Sequence, residues 1–554
     1  MLIFNFFIMK KIFVNISSFL VLFLAASCSD YTDINQNPND VLYSNLNPDE
    51  LLSAAQSNVY RTQAASMNQY GNILTNAWSG NSNLYGAGVF GTPEYTLNFT
   101  STFLNNVWDN LYLGVNNFQK IIDNKNNQDN SWNNYIAVSK ICKAHYMQYI
   151  VDLYGDCPYT NAFNGPVNVT PKYDNDEDIY KSLILDLENA YTMLDSPNAN
   201  AVPIDPAKDI MLAGDIDKWK KFAATIELRM LLRMSNTTGA NADFRNTHLN
   251  GFLSDKQFVD ETVAINPGYN AATTTAINPY YFNFITSTPT KLGPSGHVYK
   301  CLYNDWTGSS SSEVIAGSGV YYPNVNDPRN ARLFRNGTGA SKVCAVTQGI
   351  VGGCDVYPST LTAVNKPLGN LGYGPANPYL AISGAATGYA ASNGTIMTLS
   401  ESEFLQAEAN LRGYLGGSYA TAKVHFDNGI TDSFKFLLGP NTANINTTIS
   451  TYITNISPKV NFGMGSSNTF NQNLCAIMYQ KWVSLIGIHG MESYIEYTRT
   501  GYPYTPLSLS TTRNSKPLRL IYPASEYSNN SANAINISSD EVFSVNSFTP
   551  FWKL

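Results

Sequence analysis

Residues 139–160, SKICKAHYMQYIVDLYGDCPYT, constrain this chain more than any other stretch. Tyr135, Val138, Cys142, His145 and Tyr149 recur at three- and four-residue steps, so one stripe of a helix is apolar and must be buried against another helix. Asp152-Leu-Tyr-Gly-Asp-Cys-Pro-Tyr159 then ends it: Gly155 can take the left-handed backbone that closes a helix, and Pro158 cannot continue one. A buried, aromatic-rich helix with an abrupt corner is a scaffold part, and similar patterns recur along the chain.

Charge is sparse on this scaffold. Only 14% of the 554 residues are charged, 44% are hydrophobic and 13% aromatic, with 36 Tyr against 7 Trp. Asn, Ser and Thr take the place of charge on the surface, and there are more tyrosines than a core alone would use. The net charge of -7 argues against nucleic acid as a partner, because no basic face is available to neutralise phosphates.

The N-terminus points to export. Lys10-Lys11 precedes an apolar run over residues 12–26 that ends in small residues before Cys28, the charged, apolar, small order of a secretory signal, with Met9 read as the start. Leu24-Ala-Ala-Ser-Cys28 resembles a bacterial lipobox, in which the cysteine becomes the lipid-carrying N-terminus; Ala25 stands where Leu is commoner, and the alternative is a plain signal cut near Ala26. Residues 1–27 are therefore expected to be a lipoprotein signal and 28–48, rich in Asn, Asp and Pro, a lipidated tether. Cys142 and Cys475 lie on apolar helix faces and read as buried thiols. Cys344 and Cys354 bracket a Gly-rich loop that a disulfide could close, and no CxxC or Cys/His metal spacing occurs.

Helical periodicity is expected over residues 49–76, 103–122, the 135–154 region, 173–194 and 215–234. From about 240 to 395 Gly, Pro, Asn, Ser and Tyr dominate; this segment is too long for a passive loop and is expected to carry function. Helix returns with a capping-box-like start at Ser400 and Glu403, restarts over 419–436, and occupies 474–499 with a break at Gly487–Gly490; coil follows to 554. The fold class is therefore mainly α: about eight helices paired into hairpins, a first part over 49–239 and a second over 396–554, around a long loop-rich insertion.

At this point the residues resemble a known family. Asn35-Gln-Asn-Pro-Asn39 after the lipobox, the Asp152–Tyr159 corner, Lys218-Trp-Lys-Lys-Phe222, Leu228-Arg-Met-Leu-Leu-Arg233, Glu403-Phe-Leu-Gln-Ala-Glu-Ala409, Gln480-Lys-Trp482, Arg499-Thr-Gly-Tyr-Pro503 and Pro517-Leu-Arg-Leu-Ile-Tyr-Pro523 stand in the order seen in the SusD/RagB outer-membrane nutrient-binding lipoproteins of Bacteroidetes. The resemblance implies a tetratricopeptide-like scaffold with one loop-rich face, lipid-anchored at the cell surface. It also implies a SusC-like TonB-dependent outer-membrane barrel as partner, oligosaccharide or in some members peptide as cargo, and neither catalytic residues nor cofactor.

A sugar offers a flat CH face edged by hydroxyls, bound by stacking aromatics and by Asn, Asp or Arg. That combination occurs twice in loop context: Trp78 with Asn81, Asn83 and Tyr85, and Tyr303-Asn-Asp305-Trp306. These seven residues are the expected glycan-binding set, the alternative for each Trp being packing beneath its loop. Tyr280, Tyr281, Tyr321, Tyr322, Tyr357, Tyr373 and Tyr379 are weaker candidates. Asp327, Arg329, Arg332 and Arg335 could clamp hydroxyls, although an internal salt bridge explains them better. Glu403, Glu408 and Arg412 invite a glycoside hydrolase reading, against which stands an ordinary helix ion pair. The histidines show no ligand spacing, so no metal site is expected. The reading is a non-enzymatic glycan-capture protein, with peptide capture as the runner-up and a secreted hydrolase as a distant third.

Overall fold

The long helix at the centre of the sequence reading spans Asn133–Tyr154, and nearly every one of its residues is buried, including His145, Gln148 and Asp152. The apolar stripe was therefore only part of its packing: residues off the stripe, apolar Ala144 and Met147 and polar Gln148 and Asp152 alike, are equally enclosed. This is a computed structural model, and it describes residues 46–80, 92–124, 126–127, 129–286, 292–302, 325–336, 368–371, 390–456, 461–463, 469–508 and 511–553. The signal and lipidation expected at residues 1–28, and a Cys344–Cys354 bridge, lie outside those residues. Of the unit Met1–Asn47 only Leu46 and Asn47 are described; Pro48–Leu554 form the other unit.

In chain order the principal helices are α1 (Pro48–Thr62), running through a π-turn at Gln63–Met67 into α2 (Asn68–Leu74), α3 (Asn105–Ile122), α4 (Asn133–Tyr154), α5 (Asp176–Asp195), α6 (Ile216–Arg233) and α7 (Gly239–Asn250). After the insertion come α8 (Leu399–Leu411), α9 (Tyr419–Leu438), α10 (Ile445–Asn455), α11 (Phe470–Leu485) and α12 (Gly490–Thr500). Consecutive helices pack as hairpins: α3 on α4, α4 on α5, α5 on α6, α8 on α9 and α11 on α12. The scaffold is thus tetratricopeptide-like and mainly helical, as expected. It closes on itself because α12 packs on α2 and α11 on α8. Gly71 and Gly490 make the first of these contacts possible: a Cβ on Gly71 would lie 2.1 Å from the Gly490 carbonyl carbon.

Local chemistry sets the ends. Asn175, Asp215 and Thr398 accept hydrogen bonds from the backbone N–H groups of Glu177, Lys218 and Glu401. The α8 cap is therefore Thr398, two residues before the expected Ser400, and Glu401 turns into the core instead of reaching back to complete a capping box. Gly155 ends α4 at φ +70°, where a Cβ would meet the Phe548 carbonyl oxygen at 3.0 Å. The corner is then fixed by the Cys157–Asp174 bridge and by the Asp174 carboxylate, which accepts from the N–H groups of Tyr159 and Thr160 at 2.8 and 3.0 Å.

Two helices, α7 and α10, were not expected. In α7 only Arg245 and Leu249 are buried, and α10 is rich in Asn and Thr, which favour caps and turns over helix interiors. Tertiary contacts, with Ile445, Ile449 and Tyr452 buried, hold α10 in place. Three two-stranded antiparallel pairs link parts of the insertion. Their strands are β1 (Trp78–Gly80), β2 (Val263–Ile265), β3 (Leu292–Pro294), β4 (Phe334–Asn336), β5 (Leu368–Leu371) and β6 (Gly394–Met397), paired β1–β3, β2–β6 and β4–β5.

A buried ionic network crosses the middle of the scaffold. Arg233 on α6 reaches Asp152 on α4 at 3.3 Å and Glu492 and Glu496 on α12 at 2.6 and 2.5 Å. Lys481 on α11 meets the same two glutamates at 3.0 and 2.9 Å. Arg499 bonds Glu408 of α8 through both terminal nitrogens, at 2.7 and 2.6 Å. Arg229 completes it, bonding Gln148, His145 and Glu401. Burial would raise the Glu492 and Glu496 carboxyls, but Arg233 foremost, with Lys481, holds both below the ordinary range.

Arg233→Met removes one cation shared by three buried carboxylates, and should destabilise the protein by about 3–5 kcal/mol in urea unfolding. Loss of less than about 1 kcal/mol would mean that the network is not a structural requirement. Burial raises the Asp152 carboxyl to about 6 in spite of Arg233. The native state then holds this proton more tightly than the unfolded chain, whose aspartates titrate near about 3.9, so the group adds stability as pH falls from 7 through 6. Wild type minus Asp152→Asn stability should therefore rise by about 1–3 kcal/mol between pH 7 and pH 4.5, and a flat difference would contradict this.

Candidate ligand-binding face

Trp78 is not a stacking platform in this structure. It is 1% exposed, edge-on to Phe284 at 5.0 Å between ring centroids and tilted against Tyr280 at 6.4 Å. A large ring next to Tyr280 and Phe284 gains more from burial than from facing water, so packing won over exposure. Asn81, Asn83, Tyr85, Tyr303, Asp305 and Trp306 lie outside the described residues. Tyr321, Tyr322, Tyr357, Tyr373 and Tyr379 lie there too.

What the structure does establish is where the two candidate stretches leave the scaffold. β1 pairs with β3 antiparallel in the register Trp78↔Pro294, Ser79↔Gly293 and Gly80↔Leu292, so β1 ends beside Leu292, whereas the segment that leads to Tyr303 starts at the opposite, Pro294 end of the pair. Just past β3, the Ser295 backbone N–H donates to the Ala77 carbonyl at 3.3 Å, and its hydroxyl donates to the Asn76 carbonyl. The same hydroxyl accepts from the Val298 N–H at 3.0 Å, starting the short helix Gly296–Leu302. That helix ends one residue before Tyr303, held by the Tyr479 hydroxyl on the Cys301 carbonyl at 3.1 Å and the Asp327 N–H on the Leu302 carbonyl at 2.9 Å. β3 also lies against β5. Gly80, Asn336, Leu368 and Leu371, which border residues 81–91, 337–367 and 372–389, therefore lie in two small adjoining sheets.

The arginine cluster is part of this foundation. Arg329 is fully buried; its guanidinium donates to Asp327 at 2.7 Å, to Gln480 at 2.8 Å, to Ser433 at 3.0 Å and to the Tyr452 hydroxyl at 3.2 Å. It joins the β4 root to α9, α10 and α11 as the internal salt bridge favoured by the sequence. The carboxylate pair on α8 is likewise internal. Glu403 accepts from or pairs with His425 at 2.8 Å, and Glu408 is bonded by Arg412 and Arg499. Burial alone would raise the Glu408 carboxyl, and Arg499, then Arg412, more than reverses it. Neither glutamate is placed as a proton donor facing a cleft, which removes the motive for the hydrolase reading.

Beside the roots, Tyr60, Asn68, Asn278, Tyr280, Tyr281, Ser392 and Asn393 line a small polar crevice. A larger open cleft of about 510 Å³ lies elsewhere, between α3, the corner after α4 and a short helix, Ala524–Asn529, that interrupts the coil expected at the C-terminus. Its wall carries Trp108, Tyr112, Phe163, Asn116, Asn168 and Asn529, with Asp109 and Glu526. The sequence reading passed over it, because Trp108 and Tyr112 sit within a helical pattern and the other residues come from distant segments. Four-residue spacing of two aromatics on a half-polar helix was the available signal.

A family model described as starch-binding and associating with the outer membrane matches residues 38–523. Among solved structures, a chitin-binding SusD homologue from Flavobacterium johnsoniae is similar with a TM-score of 0.60 at 19% identity, covering 91% of this chain and 97% of that one. A second chitin-binding protein gives 0.59 at 25% identity over 88% and 95%. A SusD homologue from Bacteroides fragilis gives 0.60 at 18% identity over 88% and 95%. Comparison with curated protein sequences gives no match. The chain therefore belongs to the SusD-like, or SusD/RagB, family of starch-binding proteins that associate with the outer membrane.

Proposed function

We propose that this protein captures oligosaccharide at the outer surface of the outer membrane and passes it to a SusC-like TonB-dependent barrel, held there by a lipid on Cys28. The observation that carries the site is the β1–β3 pairing. Two stretches more than 200 residues apart, each with aromatic rings beside Asn or Asp, follow paired strands in the chain, the first directly after β1 and the second after β3 and the short helix Gly296–Leu302. Rigid roots under polar, aromatic loops suit a ligand made of repeated flat faces, since stacking needs a fixed platform and hydrogen bonds need adaptable groups. The family description and the chitin-binding relatives favour a glycan over a peptide. Among the described residues no helix is long and apolar enough to cross a membrane, so the outer-membrane association of the family falls to the N-terminal lipid in this reading.

In this account Tyr85, Tyr303 and Trp306 supply stacking faces, Asn81, Asn83 and Asp305 supply hydrogen bonds, and Trp78 supports the first loop from below. The cleft at Trp108 and Tyr112 is a second location for the same activity, favoured by its size and its mixture of rings and amides. Native affinity electrophoresis of the chain from Ser29 onward, in gels containing starch, glycol chitin or acidic polysaccharides, separates the two. Retardation by one glycan, reduced at least about tenfold in affinity by Trp306→Ala and unchanged by Tyr112→Ala, is the expected result. Retardation lost only in Tyr112→Ala would move the site to the cleft, and no retardation in any gel would contradict glycan capture.

A further inference from the structure

Three helices of the scaffold bring a ligand set together. Glu188 on α5, Glu227 on α6 and His248 on α7 each offer one donor atom, and the three atoms lie within 4.8 Å of one another. His248 Nδ1 is 2.6 Å from Glu188 Oε1. Glu227 is wholly buried, its carboxyl oxygens meet no donor group, and burial foremost, with the neighbouring Glu188 carboxyl, pushes its own carboxyl well above the ordinary range. The contrast with the ionic network is plain. There, Asp152, Glu408, Glu492 and Glu496 all face a guanidinium or an ammonium.

A buried carboxylate without a partner is costly, so something must compensate it. Lys256 acts on it only at a distance: the Lys256 ammonium pairs with Asp255 at 2.5 Å and sits over the Phe252 and Tyr191 rings at 4.9 and 5.3 Å. A proton shared with Glu188 would satisfy one Glu227 oxygen and leave the other bare. A cation bound by both glutamates would compensate the charge itself.

We propose that Glu188, Glu227 and His248 form a binding site for a divalent transition-metal ion that clips α7 to α5 and α6. An imidazole beside two carboxylates suits zinc and its first-row neighbours, whereas calcium and magnesium sites are built from oxygen alone. The Glu188 and His248 side chains keep 19% and 13% of their surface, which gives the ion an entry path and a place for a water ligand. On binding, the ion displaces to solvent the proton between His248 and Glu188, whose donors open from 2.6 Å towards the roughly 3.3 Å edge of a tetrahedral site, and Glu227 releases its own proton to solvent as it closes on the ion. The clip has a structural use. With only Arg245 and Leu249 buried, α7 has little apolar surface to hold it.

Calorimetric titration of chelator-stripped protein, from Ser29 onward, with zinc chloride tests this, with calcium chloride as comparator and thermal unfolding as second readout. One zinc per chain is expected, with a raised melting temperature. Affinity should fall at least about tenfold in both Glu227→Gln and His248→Ala, and stay within about twofold in His425→Ala, which removes the other histidine–glutamate pair, His425–Glu403. Glu227→Gln keeps the side-chain shape and removes the ionisable carboxyl, so it should fold even if His248→Ala does not. Absent stoichiometric zinc binding, zinc binding of equal strength in Glu227→Gln, or calcium bound as tightly as zinc would each overturn the proposal.

Discussion

The structure depends on a buried set of charges that joins the two halves of the chain. Arg229 and Arg233 come from α6 and Asp152 from α4, before the insertion; Glu401, Glu408, Lys481, Glu492, Glu496 and Arg499 come from α8, α11 and α12, after it. Such a network adds little net stability, because removing these ions from water costs several kcal/mol apiece, about as much as their attraction returns. Its effect is on register. Sliding α12 by one turn against α6 would leave a carboxylate facing apolar side chains, an error of several kcal/mol that looser hydrophobic packing would tolerate. The two halves are thus pinned in one arrangement while more than 150 residues intervene.

That pinning is what lets a loop-rich face exist on a defined base. The β1–β3 pair starts at the end of α2, and α2 packs on α12, whose glutamates belong to the network. The β4 root is tied through Arg329 to Ser433, Tyr452 and Gln480. Loops can then differ in sequence and length without disturbing the core, and a fold of this kind can present different ligand surfaces on one foundation.

The helices whose apolar residues repeat at helical steps were legible in the sequence, α3, α5 and α6 to within a few residues, and so was the break between α11 and α12. The α4 stripe was legible, but its opposite face was not. Gln148 and Asp152 look like solvent-facing residues until the partners Arg229 and Arg233, some 80 positions away, are placed beside them. α7 and α10 were hidden because their residues carry weak helix preference and their burial depends on distant neighbours. Trp78 was misjudged for a related reason. A Gly- and Asn-rich flank says that a loop follows, not which side of the loop a ring takes, and Phe284 and Tyr280 decided that. Of the candidate site, the two stretches were identified from composition, while the pairing of the strands that precede them, β1 and β3, was visible only in the structure.

Hydrogen–deuterium exchange, read by mass spectrometry with and without the glycan that retards the protein, tests the central claim most directly. The account predicts slowed exchange in peptides covering residues 81–91 and 303–324, with α4, α6 and α12 already slow and unchanged. Protection confined to peptides around Trp108, Phe163 and Glu526, or broad slowing across α6 and α12 on ligand addition, would contradict a rigid scaffold that presents its ligand surface on the loops rooted at β1 and β3.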